Sequence, residues 1–339
     1  MATPSTDPIQ GTLEQFLSAF PSGPLGVEEL PLETLTGRVL TEELCALMDS
    51  PPYSRSIIEG FLINAPETEN ASDQHPVILK VVGRISPGQS HVKAVKPESA
   101  VEVSTGSYVP PMVGLAVVRE MDARRHSASG GDQITIQKAV QEGANIEVQG
   151  CDLKKGSPLL KKGHPINPED ISLLASQGIL SVKVARLPRV AIFSSGDEVI
   201  PPTQPMKPGF IWDCNSYGLS ALVKAHGGIP MFKGIMKDDF DEFKTHLQKA
   251  LQETDMLIIS GGTAVDGRDF VADLIKALGS PGVVVNGVPM RGGKPLIMGV
   301  VGQKPIVCVA GHPPEAIRGF HLFGKPALAR LLGRQVDAA

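Results

Sequence analysis

Residues 189–198 read Arg-Val-Ala-Ile-Phe-Ser-Ser-Gly-Asp-Glu, and this stretch decides the fold class. Val190 to Ser194 is a short apolar run without polar alternation, the pattern of a strand buried on both faces. It ends in Ser194-Ser195-Gly196-Asp197-Glu198, a turn rich in hydroxyls and carboxylates. The same pattern recurs downstream at Pro230 to Ile235, Met256 to Ser260 and Ile306 to Val309. Helical periodicity fills the intervals, at roughly Ser216 to His226, Phe240 to Glu253, Phe270 to Leu278 and Pro314 to Leu332. Buried strands alternating with helices predict an α/β domain over 187–334, a three-layer, mostly parallel sheet covered on both sides.

Upstream the pattern changes twice. Leu13, Phe16, Leu17 and Phe20 carry helical spacing, and Leu30, Leu32 and Leu35 follow before Pro51-Pro52 breaks the run. Residues 1–59 with 151–186 read as an elongated helical and extended arm, in which Pro168 to Gln177 is a helix with Gly178 just past its end. Residues 60–150 read as a small β-rich domain, with short runs at Val77 to Val82, Ala100 to Ser104, Ala116 to Arg119 and Ile134 to Ile136. Its polar tip, Asp122 to Asp132, reads as a mobile hairpin loop. The apolar residues between Thr12 and Asp49 have no obvious domain of their own to bury them, which predicts a homodimer.

Composition narrows the function classes. With 339 residues and 42% hydrophobic content, more than one core is affordable. A net charge of -4, with Lys and Arg dispersed, offers no basic surface for nucleic acid. Nothing apolar is long enough to span a membrane, and the N-terminus lacks the regions of a signal peptide, so the expectation is a soluble cytoplasmic protein. Cys45, Cys151, Cys214 and Cys308 are far apart and read as reduced thiols, not as a zinc site or disulfide framework.

In open parallel sheets, ligands settle beyond the carboxyl ends of strands, where loops enter helix N-termini that favour anions. Three loops here suit that place: Ser194 to Glu198, Ser260-Gly261-Gly262-Thr263, and Gly311-His312-Pro313. Glycines let backbone approach a phosphate, and Ser and Thr hydroxyls donate to its oxygens. The carboxylates of Asp197, Glu198 and Asp269 suit a Mg²⁺ that neutralises the phosphate. Taken singly, such a loop is more often a plain turn, Asp269 an N-cap, and His312 a satisfied loop histidine. Their common placement on successive strand ends favours the ligand. Between the third and fourth strands, Met290-Arg291-Gly292-Gly293-Lys294-Pro295 is either an anion clamp or a solvated turn. No G-x-x-x-x-G-K-[ST] is present and no G-x-G-x-x-G follows a strand, which disfavours the common ATPase and dinucleotide readings.

These segments, in this order, resemble the molybdenum insertases, the MoeA and gephyrin E-domain family. The resemblance rests on Ser195-Gly196-Asp197-Glu198, Asp213-Cys214-Asn215-Ser216, Ser260-Gly261-Gly262 followed by Asp269, Lys294-Pro295, Thr105-Gly106 and Gly150-Cys151-Asp152. It covers roughly residues 10 to 334 and implies Mg²⁺-dependent hydrolysis of adenylylated molybdopterin, with molybdate inserted at the dithiolene. It also implies a homodimer whose arm and β domain help form the partner's site, and contact with the molybdopterin adenylyltransferase. Asp197, Glu198, Asp269 and Lys294 would then be catalytic, with Glu59, Glu198 and Asp269 on the metal. Thr105, Gly106, Asp152, Asp213, Asn215 and Arg291 would join the loop residues in binding pterin, phosphate or molybdate.

The chain departs from the family at several acidic positions. The segment Pro-x-Phe-Asp-x-Ser-Ala-Met-Asp-Gly stands here as residues 51–60, with Ser54 and Glu59 for its two aspartates. Cys151 replaces a glutamate, Ala264 a serine, Arg291-Gly292 a Lys-Pro pair, and Ala310-Gly311-His312-Pro313 the Pro-Gly-Asn-Pro loop. Most members continue into a C-terminal β-barrel where this sequence stops after Leu331-Leu332-Gly333. Three readings stay open: an insertase, a catalytically weak or inactive module that binds a pterin or a pathway partner, and a phosphate or nucleotide hydrolase that has taken over the same loops.

Overall fold

The computed structural model describes residues 8–90, 95–128, 131–261, 270–290 and 293–335, and the chain forms two compact units, 1–43 with 160–339, and 44–159. The first holds a six-stranded sheet in the order Ile229–Met236, Arg189–Ser195, Met256–Ser260, Lys304–Val309, Ile297–Val301, Pro281–Asn286. The first four strands run parallel, and Ile297–Val301 is antiparallel to both of its neighbours. Alternate side chains of the central strands enter opposite cores, as a period of two requires. Val190, Ile192, Met256, Ile258, Val307 and Val309 pack with Leu219, Val223, Phe320, Phe323 and Leu328. Ala191, Phe193, Leu257, Ile259, Ile306 and Cys308 pack with Phe243, Leu247, Val271, Leu274 and Ile275. The three-layer, mostly parallel arrangement is therefore present. Cys308 serves as a core hydrophobe, and burial pushes its thiol pKa far up.

The N-terminal helix, Pro8–Ser18, corrects the reading of a separate arm. Leu13, Phe16, Leu17 and Phe20 are buried in the same core as Val190 and Leu328, and the Gln15 side-chain amide donates to the Val284 carbonyl at 3.0 Å. Each such side chain contributes about 1.5–3 kcal/mol on leaving water. The apolar face is covered within the chain, so it gives no argument for a dimer. Strand Val27–Pro31 pairs antiparallel with Ser181–Ala185, and Val39, Ala185 and Leu332 share a small cluster. Residues 8–43 and 160–186 therefore belong with the α/β unit, with which they share contacts. Helix Pro168–Ser176 starts with a capping box between Asn167 and Asp170.

Two strands of this six-stranded sheet escaped the sequence reading, Pro281–Asn286 and Ile297–Val301. Their glycines, Gly282 and Gly299, resemble turn punctuation, yet a Cβ at Gly299 would lie 2.6 Å from Ile275 Cγ2, so here glycine marks close helix packing. The long C-terminal helix is interrupted by a π-turn at Phe320–Gly324 just before Pro326, which lacks an N–H to donate.

The second unit is a six-stranded sheet in the order Leu115–Arg119, Gly60–Asn64, Ser99–Val103, Val77–Ile85, Gly131–Ile136, Ala123–Ala128. The tip read as a loop is largely strand: Ala123–Ala128 pairs antiparallel with Gly131–Ile136. Arg125 explains the polar composition there, since it bridges Asp132 at 2.7 Å and Glu102 at 3.0 Å, an exposed cross-strand network.

Candidate functional site

The carboxyl ends of the parallel strands open into a cavity of about 570 Å³ lined from Ser194 to Gly196 and by Glu198, Asp213, Asn215, Asp238, Ser260, Gly261 and Gly311 to Pro313, among others. Most of the polar groups around it are already engaged. Asp213 is 4% exposed, and its Oδ1 accepts the Ser194 hydroxyl at 2.9 Å and the Ser216 N–H at 3.1 Å. That carboxylate ties the first loop to the start of helix Asn215–Ala225. The Asn215 side-chain amide donates to the Ser260 hydroxyl and to the Gly311 carbonyl, both at 2.7 Å. The Ser260 hydroxyl donates in turn to the Ala310 carbonyl at 3.3 Å. Asp213, Asn215 and Ser260, singled out for ligand binding, thus fasten the three loops to one another.

What remains unengaged is more informative. Among the described residues, the buried side-chain polar atoms without a partner are Arg38 Nε, Ser195 Oγ and Asp238 Oδ1. Two of these three belong to residues lining the one cavity. Ser195 is 5% exposed, and an orphan hydroxyl costs about 1–3 kcal/mol unless something accepts or donates there. Asp238 has its carboxyl pKa raised, chiefly by burial and then by the charges of Asp197 and Glu198. The charges of Asp197 and Glu198 thus reach Asp238, although the ligand atoms of the three do not all lie within 4.8 Å of one another, and no described side chain bonds Asp238 Oδ1. A buried carboxylate oxygen in that field is stabilised by a cation or a donor that reaches it.

Sequence reading missed Asp238. It follows strand Ile229–Met236, so the strand-end rule applied to the other loops would have reached it. Lys237-Asp238-Asp239 lacks glycine, however, and Asp239 is an N-cap that accepts the Glu242 N–H, which hides its neighbour.

The glycines divide by role. Gly261 has φ +92°, and a Cβ there would lie 2.5 Å from the Ser195 carbonyl oxygen. The glycine is required first by loop against loop, not by ligand space. Gly196, at φ +139°, would set a Cβ 2.6 Å from Glu198 Oε2. Gly311 meets only Gly261 Cα, at 3.6 Å. His312 is exposed, and its carbonyl accepts the Glu315 and Ala316 N–H groups at the start of helix Pro313–Gly319.

Lys294 is exposed and is not among the residues lining the cavity. Gly262, Thr263, Asp269 and Arg291 lie outside the described residues. Glu59, Thr105, Gly106 and Asp152 belong to the second unit. There Glu59 lines a small recess with Arg84, Glu102 and Glu120, and Thr105-Gly106 forms a turn whose Gly106 N–H donates to the Ser56 carbonyl. Ligand atoms of Glu147, Cys151 and Asp152 lie within 4.8 Å of one another, but Glu147 is already held by Arg55 at 2.5 Å. The Cys151 thiol is pushed up, first by desolvation and then by Asp152 and Glu147. The Ser54 hydroxyl accepts the Gln149 N–H at 3.1 Å.

Residues 8–178 match the MoeA N-terminal region (domain I and II), and residues 191–330 match a probable molybdopterin binding domain. A molybdopterin molybdenumtransferase of Nostoc sp. is 31% identical over 309 residues, 90% of this chain and 70% of that protein. The molybdopterin molybdenumtransferase of Bacillus subtilis is 31% identical over 301 residues, with shares of 89% and 70%. The crystal structure of a molybdopterin biosynthesis MoeA protein from Pyrococcus horikosii superposes with a TM-score of 0.84 at 34% identity, over 98% of this chain and 82% of that one. No helix among the described residues is long and apolar enough to cross a membrane.

Proposed function

Because the chain belongs to the MoeA family, we propose that it acts in molybdenum cofactor biosynthesis, inserting molybdate into adenylylated molybdopterin with Mg²⁺-dependent release of AMP. The observation that carries this reading is the pair of buried, unengaged oxygens, Ser195 Oγ and Asp238 Oδ1, on one cavity at the strand ends. A phosphate oxygen accepts from the first, and a cation satisfies the second. Asp197, Glu198 and Asp238 are the residues that would hold Mg²⁺, which when bound neutralises charge on the phosphoanhydride. Asp238 fits that role because its ionised form is penalised until a cation arrives. Around it, the Asp213, Asn215 and Ser260 bonds keep the three loops fixed, so little reorganisation is needed as negative charge develops.

Single-turnover release of AMP from adenylylated molybdopterin, with Mg²⁺ and molybdate varied, tests the proposal. We expect release to rise with Mg²⁺ toward saturation. Tight binding of the substrate with no release would overturn the enzyme and favour a carrier module instead.

That second reading has one observation of its own. Ser54, where the family has an aspartate, uses its hydroxyl on the Gln149 N–H, and Cys151 offers no carboxylate. We expect turnover to be slower than in a relative with the full acidic set, and Ser54→Asp combined with Glu59→Asp to raise it. Equal rates for wild type and the double variant would remove the carboxylate argument. We also expect a homodimer, on the family resemblance alone; a monomer mass by light scattering at micromolar concentration would end that expectation.

A further inference from the structure

The chain contains a single tryptophan and few aromatics, 4% in all, and that tryptophan lines the cavity described above. Trp212 lies in strand Ile211–Trp212, which pairs in parallel with Val199–Ile200, so its backbone is held by the first catalytic loop's own continuation. The residue is 47% exposed, unusual for a side chain with so much apolar surface to leave in water. Its indole N–H donates to the Gln204 carbonyl at 3.0 Å. The polar edge is therefore satisfied inside its own loop, and the surface left to the cavity is the apolar ring. Among the described residues no other aromatic ring packs against it.

Size points the same way. A cavity of about 570 Å³ is in the range that takes a whole small molecule, well beyond what one phosphate fills. The polar requirements of its strand-end floor are those of an anhydride and a cation, whereas Ile211 and Trp212 offer apolar surface. Resting on the function proposed above, we infer that Trp212 is a positioning residue that stacks on a fused planar nitrogen heterocycle of the substrate, a pterin or an adenine. It orients the ring-bearing ligand while Ser195 and the carboxylates engage the phosphate end. An indole face accepts any such ring, because the contact is dispersion and π-overlap and not hydrogen-bond readout.

The test uses the lone indole as its own reporter. Wild type, Trp212→Phe and Trp212→Ala are titrated in Mg²⁺ with AMP, with a free pterin and with inorganic pyrophosphate, by calorimetry, and wild type also by tryptophan fluorescence. Thermal melts confirm that the variants are folded. We expect one of the two ring-bearing ligands, or both, to quench wild-type fluorescence and to lose about tenfold or more in affinity in Trp212→Ala, with Trp212→Phe close to wild type. Pyrophosphate affinity should not change among the three proteins. Comparison of AMP with the pterin then says which ring stacks. If ring-bearing ligands bind Trp212→Ala as well as wild type, stacking is wrong while the phosphate site stands. A parallel loss of pyrophosphate affinity in Trp212→Ala would mean that Trp212 only supports the loop, and the inference fails. Absence of binding by all three ligands to wild type would overturn the proposed function itself.

Discussion

Gly261→Ala is expected to lower the stability of the α/β unit by about 2–4 kcal/mol, the sum of a strained backbone and a steric clash. The residue sits at φ +92°, and the added Cβ would lie 2.5 Å from the carbonyl oxygen and 3.4 Å from the hydroxyl of Ser195. The closer atom is backbone and cannot swing away as a side-chain end would. Ser195 closes strand Arg189–Ser195 and is 5% exposed, so relief requires moving one parallel strand end against another. Urea denaturation measures the loss. Gly311→Ala is the contrast, since its Cβ meets only Gly261 Cα at 3.6 Å, an ordinary contact; its stability should stay within about 0.5–1 kcal/mol of wild type. Any loss of pyrophosphate affinity in Gly311→Ala then reports ligand space directly. A Gly261→Ala protein as stable as wild type would show that the two loops do not press together in solution.

Asp238→Asn should cut single-turnover AMP release by roughly two orders of magnitude, the upper end of what metal-site partners contribute, while raising thermal stability at neutral pH. The two effects have one origin. Burial first, and the charges of Asp197 and Glu198 second, hold the Asp238 carboxyl above its ordinary value of 3.8. The folded protein therefore keeps this proton to a higher pH than the unfolded chain does. Stability from the group is fully present below 3.8 and is lost as pH rises through the raised folded pKa. At neutral pH wild type carries that deficit and the neutral amide does not. The melting-temperature advantage of Asp238→Asn should shrink as pH falls toward 3.8, where wild type is itself protonated. Mg²⁺ should reverse the order, stabilising wild type more than the variant because only the native carboxylate cluster binds it well. Identical Mg²⁺ responses of the two proteins would falsify the assignment of Asp238 to the cation site.

Much of this protein was legible in contiguous residues. Val190 to Phe193, Met256 to Ile259 and Ile306 to Val309 are apolar at every position, the pattern of a strand covered on both faces. Phe240–Glu253 and Phe270–Leu278 fell where their periodicity placed them. The order of the short motifs was enough for the family. Periodicity and loop composition act over a few residues, so a single sequence carries them in full.

Which polar groups are free for a ligand is a different kind of fact. Nothing in the identities of Ser194 and Ser195 says that the first hydroxyl donates to Asp213, nineteen positions away, while the second meets nothing. Asn215, read as a binder, is spent on Ser260 and Gly311, and Asp238, at the next strand end, is buried with Oδ1 unpaired in the field of Asp197 and Glu198. The helix at Pro8–Ser18 shows the same division: its apolar stripe was plain, but its partner was a sheet beginning some 170 residues later. Sequence by itself determined the parallel strands, the helices between them, the three-layer class and the family, because those follow from local pattern. Only the tertiary structure decided which side chains were left unsatisfied around one cavity, because a donor's partner is set by the packing of distant segments and not by its neighbours in the chain.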